Sequence, residues 1–372
     1  MGDLLLSQML SDSLAGFEII RIDFPTSDII SDEISVVTPD IKVFSARKQH
    51  TKLYSALSLR YKYLCRLLNK SDFEEKIKKL LYNVDGVVIG GGNMVMDIDW
   101  CPTYTYLFYE YTKIAKELNI PIYATSIGIG PFQTKIQKWY AKKGFKNCQM
   151  ISVRDDNSKK ICNNMGVDVT VCGDPAFFYN PTLTKTQKDG IAICLIKYEC
   201  VNSFMSYNQY VSFCQRLIDG LKQNFIDEKI VIFSSEITDY SIINAIYEKY
   251  VSDEKVTVNQ ISSFDEIFDF YSSQKLIISF RMHSAIMSML SGVPVIGIGW
   301  QSKVRSLFSM LGLEENIFNI DDMIEDKIVE QAKAIQSDDG FYLQKQMDFV
   351  NLQKKSFQNY MSKVNFELNN KI

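Results

Sequence analysis

The chain has 372 residues, 46% of them hydrophobic, and a formal net charge of -3. That supplies apolar material for two cored domains, at roughly 100–200 residues per domain. The mild acidity argues against a mainly electrostatic nucleic-acid binder. Eight cysteines form no CxxC pair and no cysteine–histidine group, so neither a zinc site nor a disulfide framework is expected. A reducing, cytoplasmic setting follows from that reading. No signal peptide is read, and there is no apolar run of about 18 residues to span a membrane.

In chain order, the first pattern is helical: Leu5, Leu6, Met9 and Leu10 recur at helical spacing. Residues 48–70 mix Lys and Arg with Tyr and Leu and read as a solvated helix whose basic stems cover apolar surface. Residues 85–89 (DGVVI) read as a buried strand that enters the loop Gly90-Gly91-Gly92-Asn93. A helix is predicted over 104–118 and a strand over 121–126. A further helix, the strand 150–153, a short helix closed by Gly166 and a strand ending at Gly173-Asp174-Pro175 complete a first βα series. Asp155 or Asp156 is placed to cap the helix after 150–153. Arg154 can clamp a phosphate or pair with an acid, and structural pairing is the favoured reading.

Pro, Thr, Lys and Gly cluster over 180–190, which marks a linker. The rhythm then restarts. Strands are predicted over 190–196, 229–235, 255–260, 275–280 and 294–300, with helices between them, among them 207–224 and a helix that begins at Met282. Ser263 and Glu266 are spaced for a capping box. The segment from about 326 to 365 reads as largely helical. The predicted fold is therefore α/β, with two Rossmann-like doubly wound domains and a cleft between them. The domains are 1–182 and 188–330, followed by a helical tail, 331–372.

In such sheets, ligands bind beyond the carboxyl ends of the strands. Residues just after each strand are thus the candidates for chemistry. The glycines of Gly90-Gly91-Gly92-Asn93 can expose backbone N–H groups to an anion or a sugar oxygen, or can simply make a tight turn. Asp174 can accept hydrogen bonds from hydroxyl groups or from a turn. Lys197 follows the strand 190–196 as an anion-binding candidate. Arg281-Met282-His283-Ser284 follows 275–280. Arginine there offers a fork matched to carboxylate or phosphate, at a helix start whose amides favour anions. The chain has only two histidines, and His283 is the better placed to move a proton near neutral pH. Lys303, after 294–300, can add charge to the same pocket. Ala285, Ile286, Met289 and Leu290 are expected to pack the helix body onto its sheet.

The ordered run GGGN, SIGIGP, SVRDDNS, CGDPAFF and SFRMHSAIMSMLSGVPVIGIGWQSKVRSLFSMLGL resembles the polysaccharide pyruvyl transferase family. The resemblance spans Gly2 to about Leu313, and Arg281-Met282-His283-Ser284 is its most specific part. It implies a GT-B-like fold and transfer of pyruvate from phosphoenolpyruvate to a sugar of a bacterial surface polymer or its lipid-linked precursor. The product is a cyclic ketal, and phosphate is released. His283 and Arg281 are then catalytic, with Arg281, Lys303, Lys197 and Ser284 on the donor. Asp3, Gly91, Gly92, Asn93 and Asp174 lie on the acceptor side. No metal and no cofactor beyond the co-substrate phosphoenolpyruvate is implied. Peripheral contact with the inner face of a membrane, and a homo-oligomer, stay open. The sequence departs from the family in two places. Lys197 stands where the family tends to carry arginine, and no strand precedes Gly2-Asp3. A GT-B glycosyltransferase with a nucleotide-sugar donor, its ribose held by Glu314 or Glu315, is an alternative. A non-catalytic partner in polysaccharide assembly is another.

Overall fold

The computed structural model describes residues 2–14, 16–19, 21–23, 28–30, 61, 63–97, 100–183, 188–261, 264–320 and 325–370. The chain divides into two compact units. One comprises Met1–Leu5 with Ala176–Lys354, and the other Leu6–Pro175 with Lys355–Ile372. The expected helical tail is therefore not a separate body. Its helices are Glu325–Ser337 and Asp339–Asn369, and the residues from Lys355 onward group with the N-terminal unit.

The helix Gly2–Asp12, which is divided between the two units after Leu5, buries Leu5, Leu6 and Met9, as its spacing predicts. In the N-terminal unit, a short antiparallel hairpin follows, β1 (Arg21–Asp23) and β2 (Asp28–Ile30). A four-stranded parallel sheet has the order β3 (Val87–Gly90), β4 (Ile122–Ile127), β5 (Met150–Val153) and β6 (Thr170–Val171). Residues 48–60 of the basic stretch lie outside the described residues, whereas 63–68 are helical. The capping serine Ser263 also lies outside them. The helix Asp156–Asn164 is capped by Asp155, whose Oδ1 accepts from Ser158 N at 2.7 Å.

The C-terminal unit carries six parallel strands. They are β7 (Ile191–Cys194), β8 (Ile230–Ser234), β9 (Val256–Gln260), β10 (Leu276–Ser279), β11 (Val295–Gly299) and β12 (Ile317–Asn319). Their spatial order is β12-β11-β10-β7-β8-β9, the 3-2-1-4-5-6 winding of a dinucleotide-type sheet read from the other edge. β7, β8, β10 and β11 are buried along their whole length. This is why they read as unbroken apolar runs rather than as alternation.

The helices cover this sheet for reasons visible in their sequences. Tyr207–Asn224 opens with a capping box between Ser206 and Gln209. It buries Tyr210, Phe213, Cys214, Leu217, Ile218 and Leu221, one stripe at helical spacing. Met282–Leu290 buries Ala285, Ile286, Met289 and Leu290. β12 was not legible in the sequence. It has three half-buried residues, too few for periodicity, and exists because it pairs with β11.

Candidate active site

The winding of the C-terminal sheet reverses between β7 and β10, which are hydrogen-bonded neighbours. Chains leave these two strands toward opposite sides, so a crevice opens beyond their carboxyl ends. Lys197 lies three residues past β7 and Arg281 two residues past β10. The topology thus puts both at the switch point.

Asp239 joins them. It ends the short 3-10 turn Ile237–Asp239 after β8 and is fully buried. Its Oδ2 accepts from Arg281 Nε at 2.9 Å and Nη2 at 2.6 Å, and its Oδ1 accepts from Nη2 at 2.9 Å. Oδ1 also accepts from the Lys197 backbone N–H at 3.0 Å, and Oδ2 from the Ser234 hydroxyl. One carboxylate therefore ties together the ends of β7, β8 and β10. Burial by itself lowers the pKa of Arg281, but the Asp239 charge and hydrogen bonds outweigh it and hold the guanidinium above its ordinary value. The sequence reading missed Asp239. It sits five residues beyond β8, inside a run that reads only as the start of a helix.

The geometry refines the role of Arg281. Its side-on edge, Nε with Nη2, is spent on Asp239. The end-on edge, Nη1 with the second Nη2 hydrogen, is the one left to a ligand, and it is aimed by the buried pair. With Arg281 neutralised by Asp239, the positive potential for an anion must come from elsewhere. Lys197, after β7, and Lys303, after β11, are both half-buried. Arg281 is the N-cap residue of Met282–Leu290 and Gln301 that of Ser302–Leu311, and neither caps with its side chain. In contrast, Tyr207–Asn224 and Lys135–Phe145 each begin with a full capping box. The two helix starts on the β10–β11 side thus receive no side-chain cap from their N-cap residues, at the helix end where anions are favoured.

His283 is the second residue of its helix and half-buried. Its Nε2 is shielded from solvent. Ser284 is placed differently from the expectation. It is fully buried, and its hydroxyl accepts from Tyr271 at 2.7 Å, so it anchors the first helical turn to the core instead of facing a donor. Trp300 holds the end of β11 to that of β10 by donating from Nε1 to the Phe280 carbonyl at 2.7 Å. Tyr210 steadies the end of β7 by donating to the Ile196 carbonyl at 2.7 Å. Glu314 and Glu315 are exposed and immediately precede β12. In a parallel sheet, that puts them at the amino-end edge, opposite Arg281.

The N-terminal unit has its own strand-end cluster. Gly91 and Gly92 take φ of 75° and 63°, which carry the chain from β3 back toward β4, where Gly128 N donates to Gly92 O at 2.8 Å. Arg154, 4% exposed, donates to Asn93 Oδ1, to Asp155 Oδ2 at 3.3 Å and to Asp174 Oδ2 at 3.4 Å. Arg154 is the structural partner expected of it. Asn93 and Asp174 are brought together, but their oxygens are engaged inward by that guanidinium. Asp3 lies on Gly2–Asp12, and its side chain is outside the described residues.

Two parallel sheets, one wound as 3-2-1-4-5-6 with basic groups and a histidine at its switch point, define an α/β protein of the GT-B-like class. Solved structures share that fold at low identity. UDP-GlcNAc 2-epimerase from Neisseria meningitidis bound to UDP-GlcNAc superposes with a TM-score of 0.54 at 12% identity, covering 81% of each chain. A glycosyltransferase from Rickettsia africae ESF-5 gives 0.52 at 13%, covering 87% of this chain and 83% of that one. The amylovoran biosynthesis protein AmsJ of Erwinia amylovora is 21% identical over 299 residues, 71% of this chain and 67% of AmsJ. Residues 30–302 match the family model of polysaccharide pyruvyl transferase, and the chain belongs to that family.

Proposed function

We propose that the chain transfers pyruvate from phosphoenolpyruvate to a sugar of a bacterial surface polysaccharide or its lipid-linked precursor, forming a cyclic ketal and releasing phosphate. The observation that carries this reading is His283 at a helix start beside Arg281, at the switch point of a sheet in a pyruvyl transferase family member.

The chemistry divides among the residues. The methylene carbon of the enol takes a proton from His283, and positive charge develops at the neighbouring carbon and its oxygen. One sugar hydroxyl bonds to that carbon and gives up its proton to the now neutral imidazole of His283. A second hydroxyl then displaces phosphate, which leaves with the electron pair of the C–O bond and takes up that hydroxyl's proton. The end-on edge of Arg281 binds the donor carboxylate or phosphate, while Lys197, Lys303 and the positive ends of the two helices stabilise the departing charge. Gly91, Gly92, Asn93 and Asp174 are proposed for the acceptor side, through whatever atoms Arg154 does not engage. No metal or cofactor takes part in this scheme. An acceptor still carried on lipid would bring a cytoplasmic enzyme to the inner face of the membrane.

The test is phosphate release from phosphoenolpyruvate across a panel of sugar acceptors, with wild type and His283→Ala. The expected result is acceptor-dependent release by wild type and a loss of about 100-fold or more in the variant, which stays folded. Near-normal turnover by His283→Ala removes the acid assignment. Stabilisation by nucleotide-sugars and not by phosphoenolpyruvate replaces the whole reading with a glycosyltransferase.

A further inference from the structure

The helix Lys135–Phe145 has one face that the proposed chemistry does not use. Its inner face, Gln137, Ala141, Gly144 and Phe145, is buried. The outer face carries Lys135, Ile136, Lys138, Trp139 and Lys143, with Lys146 just past the helix end, all exposed. At 100° per residue these six side chains share one side of the cylinder. Trp139 and Ile136 are each 48% exposed, a large apolar area to leave in water. Among the described residues none of these four lysines forms an ion pair. Residues 133–148 contain five lysines and no acid, within a chain of net charge -3. The fifth, Lys142, lies beside Gly166 at the end of Asp156–Asn164, where a cation suits the helix carboxyl end.

Trp139 is held in place. Its ring meets Tyr140 at 5.0 Å and Tyr109 at 5.7 Å, and Lys143 Nζ lies 5.7 Å from its centroid. Tyr140 continues through Tyr106 to Tyr63. The helical stretch that contains Tyr63 leaves Leu64 and Leu68 exposed at 53% and 75%. The outer side chains are thus a fixed indole and an isoleucine among lysines, and the helical stretch whose Tyr63 ends the aromatic chain exposes further leucines.

We propose that this face docks on a membrane surface rich in anionic phospholipid. The lysines meet the headgroups, and Trp139 and Ile136 enter the interfacial layer, where an indole is favoured. Charge complementarity selects an anionic partner. The aliphatic side chains and the convex helix surface select a bilayer over a nucleic acid, which is held in a basic groove with stacking rings. The assignment does not depend on the donor chemistry and stands or falls separately from it.

The experiment is sedimentation of the full chain with vesicles of phosphatidylcholine alone or with about one-third phosphatidylglycerol. Wild type should pellet with the anionic vesicles only, and release as salt is raised. Lys138→Glu with Lys143→Glu, and separately Trp139→Ser, should each weaken binding by about tenfold or more. These side chains are exposed, so thermal unfolding should be unchanged, and that is checked alongside. No pelleting of wild type, equal pelleting with both lipids, or undiminished binding by the charge-reversed variant overturns the proposal. So does retention of single-stranded RNA in place of vesicles.

Discussion

Arg281 and Asp239 form a side-on ion pair in which a fully buried carboxylate grips the Nε and Nη2 edge of the guanidinium, with contacts of 2.6–2.9 Å. The same carboxylate accepts from Lys197 N–H and from the Ser234 hydroxyl. Asp239 therefore positions Arg281 and fixes the loop after β7. Asp239→Asn keeps the size and loses the charge. It should raise KM for phosphoenolpyruvate by about tenfold and change kcat less, because the guanidinium is no longer aimed. Asp239→Ala leaves four donor groups on three residues without their acceptor and should cost about 2–4 kcal/mol in chemical denaturation. A KM unmoved by Asp239→Asn would separate Arg281 from the donor.

Arg281→Lys replaces a planar fork with a point charge. An ammonium can neutralise Asp239, but it cannot also present an end-on edge. Donor affinity should fall by about tenfold or more with little change in melting temperature, read by titration with phosphoenolpyruvate. Lys197 is held through its backbone N–H, which donates to Asp239. Lys197→Ala should therefore weaken donor binding while leaving stability within about 0.5 kcal/mol.

Gly128 packs where no side chain fits. A Cβ there would overlap Asn93 Oδ1 and stand 2.8 Å from Arg154 Nη2. Gly128→Ala should destabilise by about 1–3 kcal/mol, as overpacking does, and a melting curve will show it. An unchanged melting temperature would mean that the Asn93–Arg154 contact is dispensable.

Glu110 is 1% exposed and 3.4 Å from Lys113. Burial raises its pKa, and the attraction of Lys113 and Lys70 only partly offsets this. The folded protein thus holds this proton more tightly than the unfolded chain does. The stability tied to the protonated form is complete below the ordinary glutamate value of 4.5 and is lost as pH rises through the raised value. Glu110→Gln should be more stable than wild type at pH 7 by about 1 kcal/mol. The gain should vanish at acidic pH, where both side chains are neutral. Denaturant midpoints at the two pH values measure it, and a variant less stable at pH 7 would show that the pairing with Lys113 dominates.

The sequence by itself determined the α/β class, the strands of both parallel sheets except β12, and the position of the Arg281–His283 turn. Buried parallel strands need unbroken apolar runs, and helices that cover them need a stripe, so both patterns are written in local order. Tyr207–Asn224 was legible to the residue because a capping box and six inward side chains agree. The tertiary structure alone decided which strand ends meet. It placed Asp239 against Arg281 across 42 residues of sequence, turned Ser284 inward onto Tyr271, and drew Asn93 and Asp174 to Arg154. It also grouped Lys355–Ile372 with the N-terminal unit and paired the three residues of β12 with β11. Each of these depends on contacts between distant segments. Hydrophobic periodicity records which face is buried, but not which buried partner waits there.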